Sequence, residues 1–307
     1  DPESEYTPLI KALGGEVIKI SAGSDDHINA MDMNEGYGDS KDPLTDKSEF
    51  IMSLFEQLDK HGVTPEEHSI IDRCVREVYE EAYCNDKTPT LITLRKKLLE
   101  QKEPEARKLA LKLELFTEGS LNIFAHETNV NVNNRIISYD IHSLGKQLKT
   151  MGLLVITDAI INKVNENWLK GKRTHIFIDE FHIVFENEYS ASFFNSAWRQ
   201  FRKRDGFPTG ITQNVEYLLD SVQASTMLSN SEFIVMLNQA FKDREKLGEL
   251  LNISEEQMSY ITNAESGSGL IRYGQSIVPF KNRFPKNTKL YQLMTTKPSD
   301  RTKGSDN

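Results

Sequence analysis

The feature that most constrains this chain is a switch of hydrophobic period between residues 153 and 178. Leu153, Ile156, Ile160, Val164 and Trp168 recur at helical spacing, and Thr174 to Ile178 then forms a short apolar run suited to a buried strand. The alternation continues downstream. Phe193, Phe194, Ala197, Trp198 and Phe201 mark a second amphipathic helix, Gly210 to Thr212 a short strand, and Phe233 to Leu237 another. Strands alternating with helices cannot pair through tight hairpins, so the pattern predicts a mainly parallel sheet with helices on both faces. Gly269 to Tyr273 and Ser276 to Phe280 are the exception, reading as a hairpin around Gly274-Gln275.

The first part of the chain carries the same α/β signals. Pro8 to Leu13 reads as a short helix stopped by Gly14-Gly15, Val17 to Ile20 as a strand, and Ile28 to Met33 as another short strand. Between them and Arg135 to Ile141, the next strand, the character changes. Thr64-Pro65-Glu66-Glu67 is a capping box with Pro at the first helical position, followed by Ile70, Ile71, Cys74, Val75, Val78 and Tyr79 at helical spacing. Leu91, Leu94, Leu98 and Leu99 mark a further helix, and Ser254-Glu255-Glu256-Gln257 opens another near the end. The expected organisation is α/β over 1–46, an all-helical insertion over 47–120, α/β again over 121–295 and a polar, disordered tail over 296–307.

Composition bounds the function. The 307 residues are 38% hydrophobic and 27% charged, ordinary for a soluble globular chain with a sizeable core. With 37 Lys+Arg against 46 Asp+Glu, the formal net charge of -9 argues against a dedicated nucleic-acid binder while leaving room for a local basic groove. Cys74 and Cys84 support neither a disulfide framework nor a zinc site, and a reduced cytosolic compartment is the default. No apolar run approaches the length of a membrane span.

The chemistry concentrates in His175-Ile176-Phe177-Ile178-Asp179-Glu180. A strand holds its C-terminal end rigidly, and open α/β sheets bind ligands at that edge. An Asp there can hold Mg²⁺ through water, and the adjacent Glu can take a proton from an attacking water. A strand that merely ends in two solvated acids is the competing reading. About thirty residues on, Thr212-Gln213-Asn214 follows another strand and offers a neutral amide for a γ-phosphate, or simply a turn. Arg202-Lys203-Arg204-Asp205-Gly206 is an ordinary helix C-terminus or a source of an arginine finger. Asp1, Glu3 and Glu5 open the chain as acids at a further strand end. His175 and His182 flank the acidic pair without zinc-ligand spacing, and His61 and His68 read as surface residues of the helical block. Neither a G-x-S-x-G elbow nor a G-x-x-x-x-G-K-[ST] phosphate loop occurs.

The order of these segments resembles a known family. Asp1-Pro2-Glu3-Ser4-Glu5-Tyr6, Leu13-Gly14-Gly15-Glu16 with Ile28-Asn29, Phe116 to Phe124, Tyr139-Asp140-Ile141, Ile178-Asp179-Glu180-Phe181-His182, Gly210 to Glu216 and Gly267 to Leu270 are similar in order to the C-terminal ATPase region of conjugative transfer ATPases. These are the VirB-four-type (TraE/TrbE/CagE-like) energy subunits of type IV secretion systems. The resemblance spans roughly residues 1–295 and implies a RecA-like P-loop NTPase core with an inserted helical subdomain. It implies ATP and Mg²⁺ as cofactors, Asp179 at the metal through water, Glu180 activating water and Gln213 sensing the γ-phosphate. Arg202 and Arg204 become candidates for a trans-acting finger, and Asp1, Glu3 and Glu5 match a segment beside the nucleotide. It further implies a hexamer or dimer when active, other secretion subunits including the coupling protein as partners, and a cytoplasmic position at the inner face of the cell membrane reached through those partners. DNA binding is left open. The missing phosphate loop is the departure; it is expected upstream of Asp1, and residues 1–307 by themselves are expected to bind ATP weakly or not at all. The alternatives are an FtsK-like DNA translocase or coupling protein, and a catalytically silent scaffold on the same fold.

Overall fold

The computed structural model describes residues 1, 3–38, 40–59, 62–186, 188–213 and 215–295. The expected disordered tail, together with His61 and Asn214, lies outside the described residues. The chain divides into two compact units, Asp1–Asp179 with Asn187–Ile211, and Glu180–Glu186 with Thr212–Asn307.

In the first unit, α1 (Thr7–Ala12) leads into β1 (Glu16–Lys19), which pairs in parallel with β2 (Ile137–Asp140) from Glu16↔Ile137 to Lys19↔Asp140. Four helices fill the interval: α2 (Pro43–Leu58), α3 (Pro65–Cys84), α4 (Leu91–Glu100) and α5 (Pro104–Thr117). Their ends follow local chemistry. Asp42, Thr64 and Thr90 each accept a backbone N–H in the first turn, and Pro stands at the start of α2, α3 and α5. Their apolar stripes do not form a separate core. Phe50, Leu54, Ile71, Val75, Leu94 and Leu109 join Ile18 and Ile20 of the β1 segment and Leu148, Met151 and Val155 of the following helix in one continuous cluster.

That helix, α6 (Lys146–Leu169), buries Ile156 and Val164 as its aliphatic spacing suggests, but its buried surface extends beyond that face. Trp168 is 44% exposed, whereas Asp158, Asn162 and Asn165 are buried. For Asp158 and Asn162 the 29–37 segment supplies partners: Tyr37 donates to Asp158 at 2.5 Å, and Asn162 exchanges bonds with Asp32 and Asn34 at 3.2 and 3.1 Å. The strand expected over Ile28 to Met33 is instead an irregular buried loop. Side chains take the place of a sheet partner there: Thr128 accepts from the Asn29 N–H, and the Asn29 amide bridges Asp32, Pro89 and Met31.

β3 (Thr174–Ile178) pairs in parallel with β4 (Gly206–Gly210), and α7 (Glu188–Lys203) connects them. Ile176, Ala197 and Phe201 pack with Ile161 and Val164 of α6. Two details depart from expectation. β3 is not buried throughout, since Phe177 is 70% exposed. The second strand occupies Gly206–Gly210 rather than Gly210 to Thr212, because Asp205, at φ +50, turns the chain so sharply that pairing starts at the next residue. Pro208 disguised the strand: within a ladder it is tolerated only where its missing N–H faces away from the partner.

The second unit holds α8 (Val215–Asp220), α9 (Val222–Ser229), β5 (Phe233–Met236), α10 (Phe241–Leu251), α11 (Glu255–Met258), β6 (Ser268–Tyr273), β7 (Ser276–Lys281) and α12 (Lys289–Met294). β5, β6 and β7 form an antiparallel sheet in that order, and Ile234, Met236 and Leu270 pack on Leu247, Leu251 and Ile261. The expected hairpin is present, with Gly274 at φ +57 providing the positive φ that its two-residue turn requires.

Candidate functional site

β3 and β4 run in parallel and end side by side at Ile178↔Gly210, and the Ile211 N–H still bonds the Ile178 carbonyl at 2.8 Å. The residues that follow these ends are Asp179-Glu180 on one side and Thr212-Gln213 on the other. Asp179 is half-buried in the first unit. Asp140, at the end of β2, is buried; it accepts from Ser4 Oγ at 2.6 Å and from the His142 N–H at 3.1 Å.

The chain reverses at Glu180, which sits in the left-handed region at φ +48, and enters a 3-10 turn over Phe181–Phe185. A non-glycine residue in that region costs on the order of 1 kcal/mol, and such strain gathers at functional sites. Within the second unit, Gln213 Nε2 donates to Glu180 Oε1 at 3.0 Å, and His182 Nδ1 lies 3.2 Å from Glu180 Oε2. Thr212 Oγ1 is 3.3 Å from the same ring nitrogen. Two of the sequence-selected residues, Glu180 and Gln213, are therefore in direct contact.

The other selected residues divide. Arg204 is spent on its own unit: its guanidinium donates to the carbonyls of Gly36 (2.9 Å) and Gly38 and lies over the Trp168 ring. Gly38 is at φ +73, and a Cβ there would overlap Asp46, so the turn that receives Arg204 is built around glycine. Arg202 is exposed. The Asp1 carboxylate accepts from the N–H groups of Glu5 and Tyr6 and so caps the entry to α1, while Glu3 and Glu5 are exposed. Residues that the sequence did not single out for the site are His182 and Asp140, which appear there within runs that carry the resemblance, with no role assigned to either.

The donor set fits a nucleotide-borne Mg²⁺ better than a metal held by protein alone. No cluster of three or more His, Cys, Asp or Glu suited to a metal exists among the described residues. Mg²⁺ characteristically takes one or two carboxylates and completes its shell with water and substrate phosphates. Among the described residues, no helix is long and apolar enough to cross a membrane.

The sequence profile of the TraG P-loop domain matches residues 41–283. No curated protein matches the chain. Among solved structures, VirB4 of Thermoanaerobacter pseudethanolicus superposes with a TM-score of 0.78 at 22% identity, covering 95% of this chain and 82% of that one. The plasmid coupling protein TrwB, solved with the non-hydrolysable GTP analogue GDPNP, gives a TM-score of 0.48 at 15% identity, covering 88% of this chain and 76% of that one.

Proposed function

The chain belongs to the TraG P-loop domain family, and from that premise we propose that it is the ATPase region of a conjugation-type secretion motor, hydrolysing ATP to drive pilus assembly or substrate transfer. The observation that carries this reading is the 3.0 Å contact of Gln213 with Glu180, immediately beyond the ends of two parallel strands. A carboxylate paired with a neutral amide, each following a strand in sequence, suits an attacking water on one side and a γ-phosphate on the other.

In this proposal Glu180 Oε accepts a proton from the attacking water as the water oxygen bonds to the γ-phosphorus and the bond to the bridging oxygen breaks, its electron pair leaving with ADP; Gln213 orients the γ-phosphate without adding negative charge. Asp179 would hold Mg²⁺ through water, where the ion would supply charge neutralisation of the phosphates. Arg202, exposed at the end of α7, is the better candidate for a finger acting on a neighbouring subunit, because Arg204 is held by Gly36 and Gly38. Asp1, Glu3 and Glu5 enter this proposal only through the resemblance to a segment beside the nucleotide; the Asp1 carboxylate itself accepts from the Glu5 and Tyr6 N–H groups. The motor acts at the inner face of the membrane through partner subunits, with residues 47–120 as a helical insertion in its RecA-like core.

The test is Mg-ATP hydrolysis by the full-length protein with Glu180→Gln as the variant. Loss of turnover by a factor of about 10² or more is expected for removal of a general base. Turnover that survives would remove Glu180 from the chemistry and, with it, the central claim.

A further inference from the structure

We propose that His182 is a positioning residue for Glu180, holding its carboxylate through a proton carried on Nδ1. This rests on the reading of Glu180 as the group that activates water. The geometry begins with the backbone. Glu180 at φ +48 folds the chain back, and the 3-10 turn that follows buries Phe181 and Val184, with Phe181 and Phe185 packed edge to face at 5.1 Å. Anchored by these contacts, the turn directs the His182 ring toward the glutamate. The carboxylate is thereby held at both oxygens, Oε1 by the Gln213 amide and Oε2 by His182 Nδ1 at 3.2 Å.

The proton position follows from the inventory of donors. An ionised carboxylate can only accept, so a bare Nδ1 would set a lone pair against Oε2. Nδ1 must therefore carry hydrogen, and Thr212 Oγ1, 3.3 Å from the same atom, can share it as an acceptor. In the neutral ring this leaves Nε2 as the acceptor. His182 is then not a relay for the proton that Glu180 takes from water, because the nitrogen facing Glu180 is already occupied. Its part is to stop the carboxylate rotating about its last torsion. A single hydrogen bond leaves that rotation free, whereas two donors on opposite oxygens fix the oxygen that must meet the water.

The predicted signature separates positioning from bulk. In the full-length protein, His182→Ala should lower kcat about tenfold or more while leaving KM within about twofold, the pattern of a lost orienting partner. His182→Asn places an amide N–H where Nδ1 stands and should restore most of the rate. His182→Gln, whose amide reaches toward the position of Nε2, should not. If His182→Asn is as slow as His182→Ala, or if His182→Ala keeps the wild-type kcat while Glu180→Gln abolishes it, the inference fails although the assignment of Glu180 stands. If Glu180→Gln itself keeps turnover, the underlying reading fails first. A readout that needs no turnover is nitrogen NMR of the His182 ring in the 307-residue chain. A protonated Nδ1 is expected, and a neutral ring carrying its proton on Nε2 alone overturns the proposal.

Discussion

Replacing Lys47 by Met should destabilise the first unit severely, and more at neutral than at acid pH. Lys47 is fully buried and lies 2.7 Å from Asp158, itself 4% exposed. Its ammonium also donates to the Ala30 carbonyl at 3.1 Å and stands 4.7 Å from the ring centres of both Tyr37 and Phe50. Methionine keeps the length of the stem, so the loss is electrostatic rather than a cavity. Two acceptors, Asp158 Oδ2 and the Ala30 carbonyl, are left without this donor, at about 1–3 kcal/mol each. Breaking one side of a buried ion pair costs about 3–5 kcal/mol as a whole, which lies within that sum. For a unit of this size the melting temperature should fall by roughly 6–20 °C.

The pH dependence has a definite sign. Burial holds the Asp158 carboxyl above the usual carboxylate range, and Lys47 is the main influence pulling it back down. Without Lys47 the folded-state pKa rises further above its unfolded value of about 3.9. An acid raised in the folded state contributes stability that is fully present below the unfolded pKa and is lost as pH rises through the folded one. The deficit of Lys47→Met against wild type should thus be largest near neutrality and shrink as pH falls toward about 4. Adding Asp158→Asn to Lys47→Met removes the stranded charge, keeps an acceptor for Tyr37 and should recover most of the loss. Urea denaturation across this pH range measures all three proteins. A deficit below about 1 kcal/mol, or one that does not change with pH, would refute the reasoning.

Three further outcomes follow from the same geometry. Arg204→Ala should lower thermal stability by freeing the Gly36 and Gly38 carbonyls, whereas Arg202→Ala should leave melting unchanged and reduce turnover in the assembled protein; the reverse pattern would exchange their roles. Cys84, exposed, should react with a thiol reagent in the native chain, while Cys74 should react only on unfolding, since burial raises its thiol pKa to about 11. Residues 1–307 by themselves should show no micromolar affinity for Mg-ATP, because their sequence holds no Lys-bearing phosphate loop; calorimetric titration giving micromolar binding would contradict this.

Local chemistry was legible wherever it is self-contained. The box at Thr64, the hairpin at Gly274 and the apolar stripe of α7 depend on neighbours within a few residues, and each appears as read. Element limits were less legible where a breaker sits inside a strand, as Pro208 does in β4. The Ile28 to Met33 segment was misread because apolar composition reports burial and not backbone pairing, and its partners, Thr128 and Pro89, lie far along the chain. At the candidate site, the residue types Asp179, Glu180 and Gln213 stood out by their place after apolar runs. His182 did not, since no spacing rule connects an imidazole to a carboxylate two residues earlier.

The sequence by itself determined the class of fold, the parallel connection of β3 to β4 through α7, and the identity of the acids and amide that follow them, because hydrophobic period and strand-end position are properties of short stretches. Tertiary structure alone decided that Lys47 pairs with Asp158, that Arg204 is tied to a glycine turn, and that Gln213 and His182 close on opposite oxygens of Glu180. Those pairings depend on a long side chain or a ring reaching a partner within about 3 Å. For Lys47, Arg204 and Gln213 the partner is dozens of residues or more away in sequence; for His182 it is two residues away, but only because Glu180 adopts a backbone conformation that its residue type does not foretell.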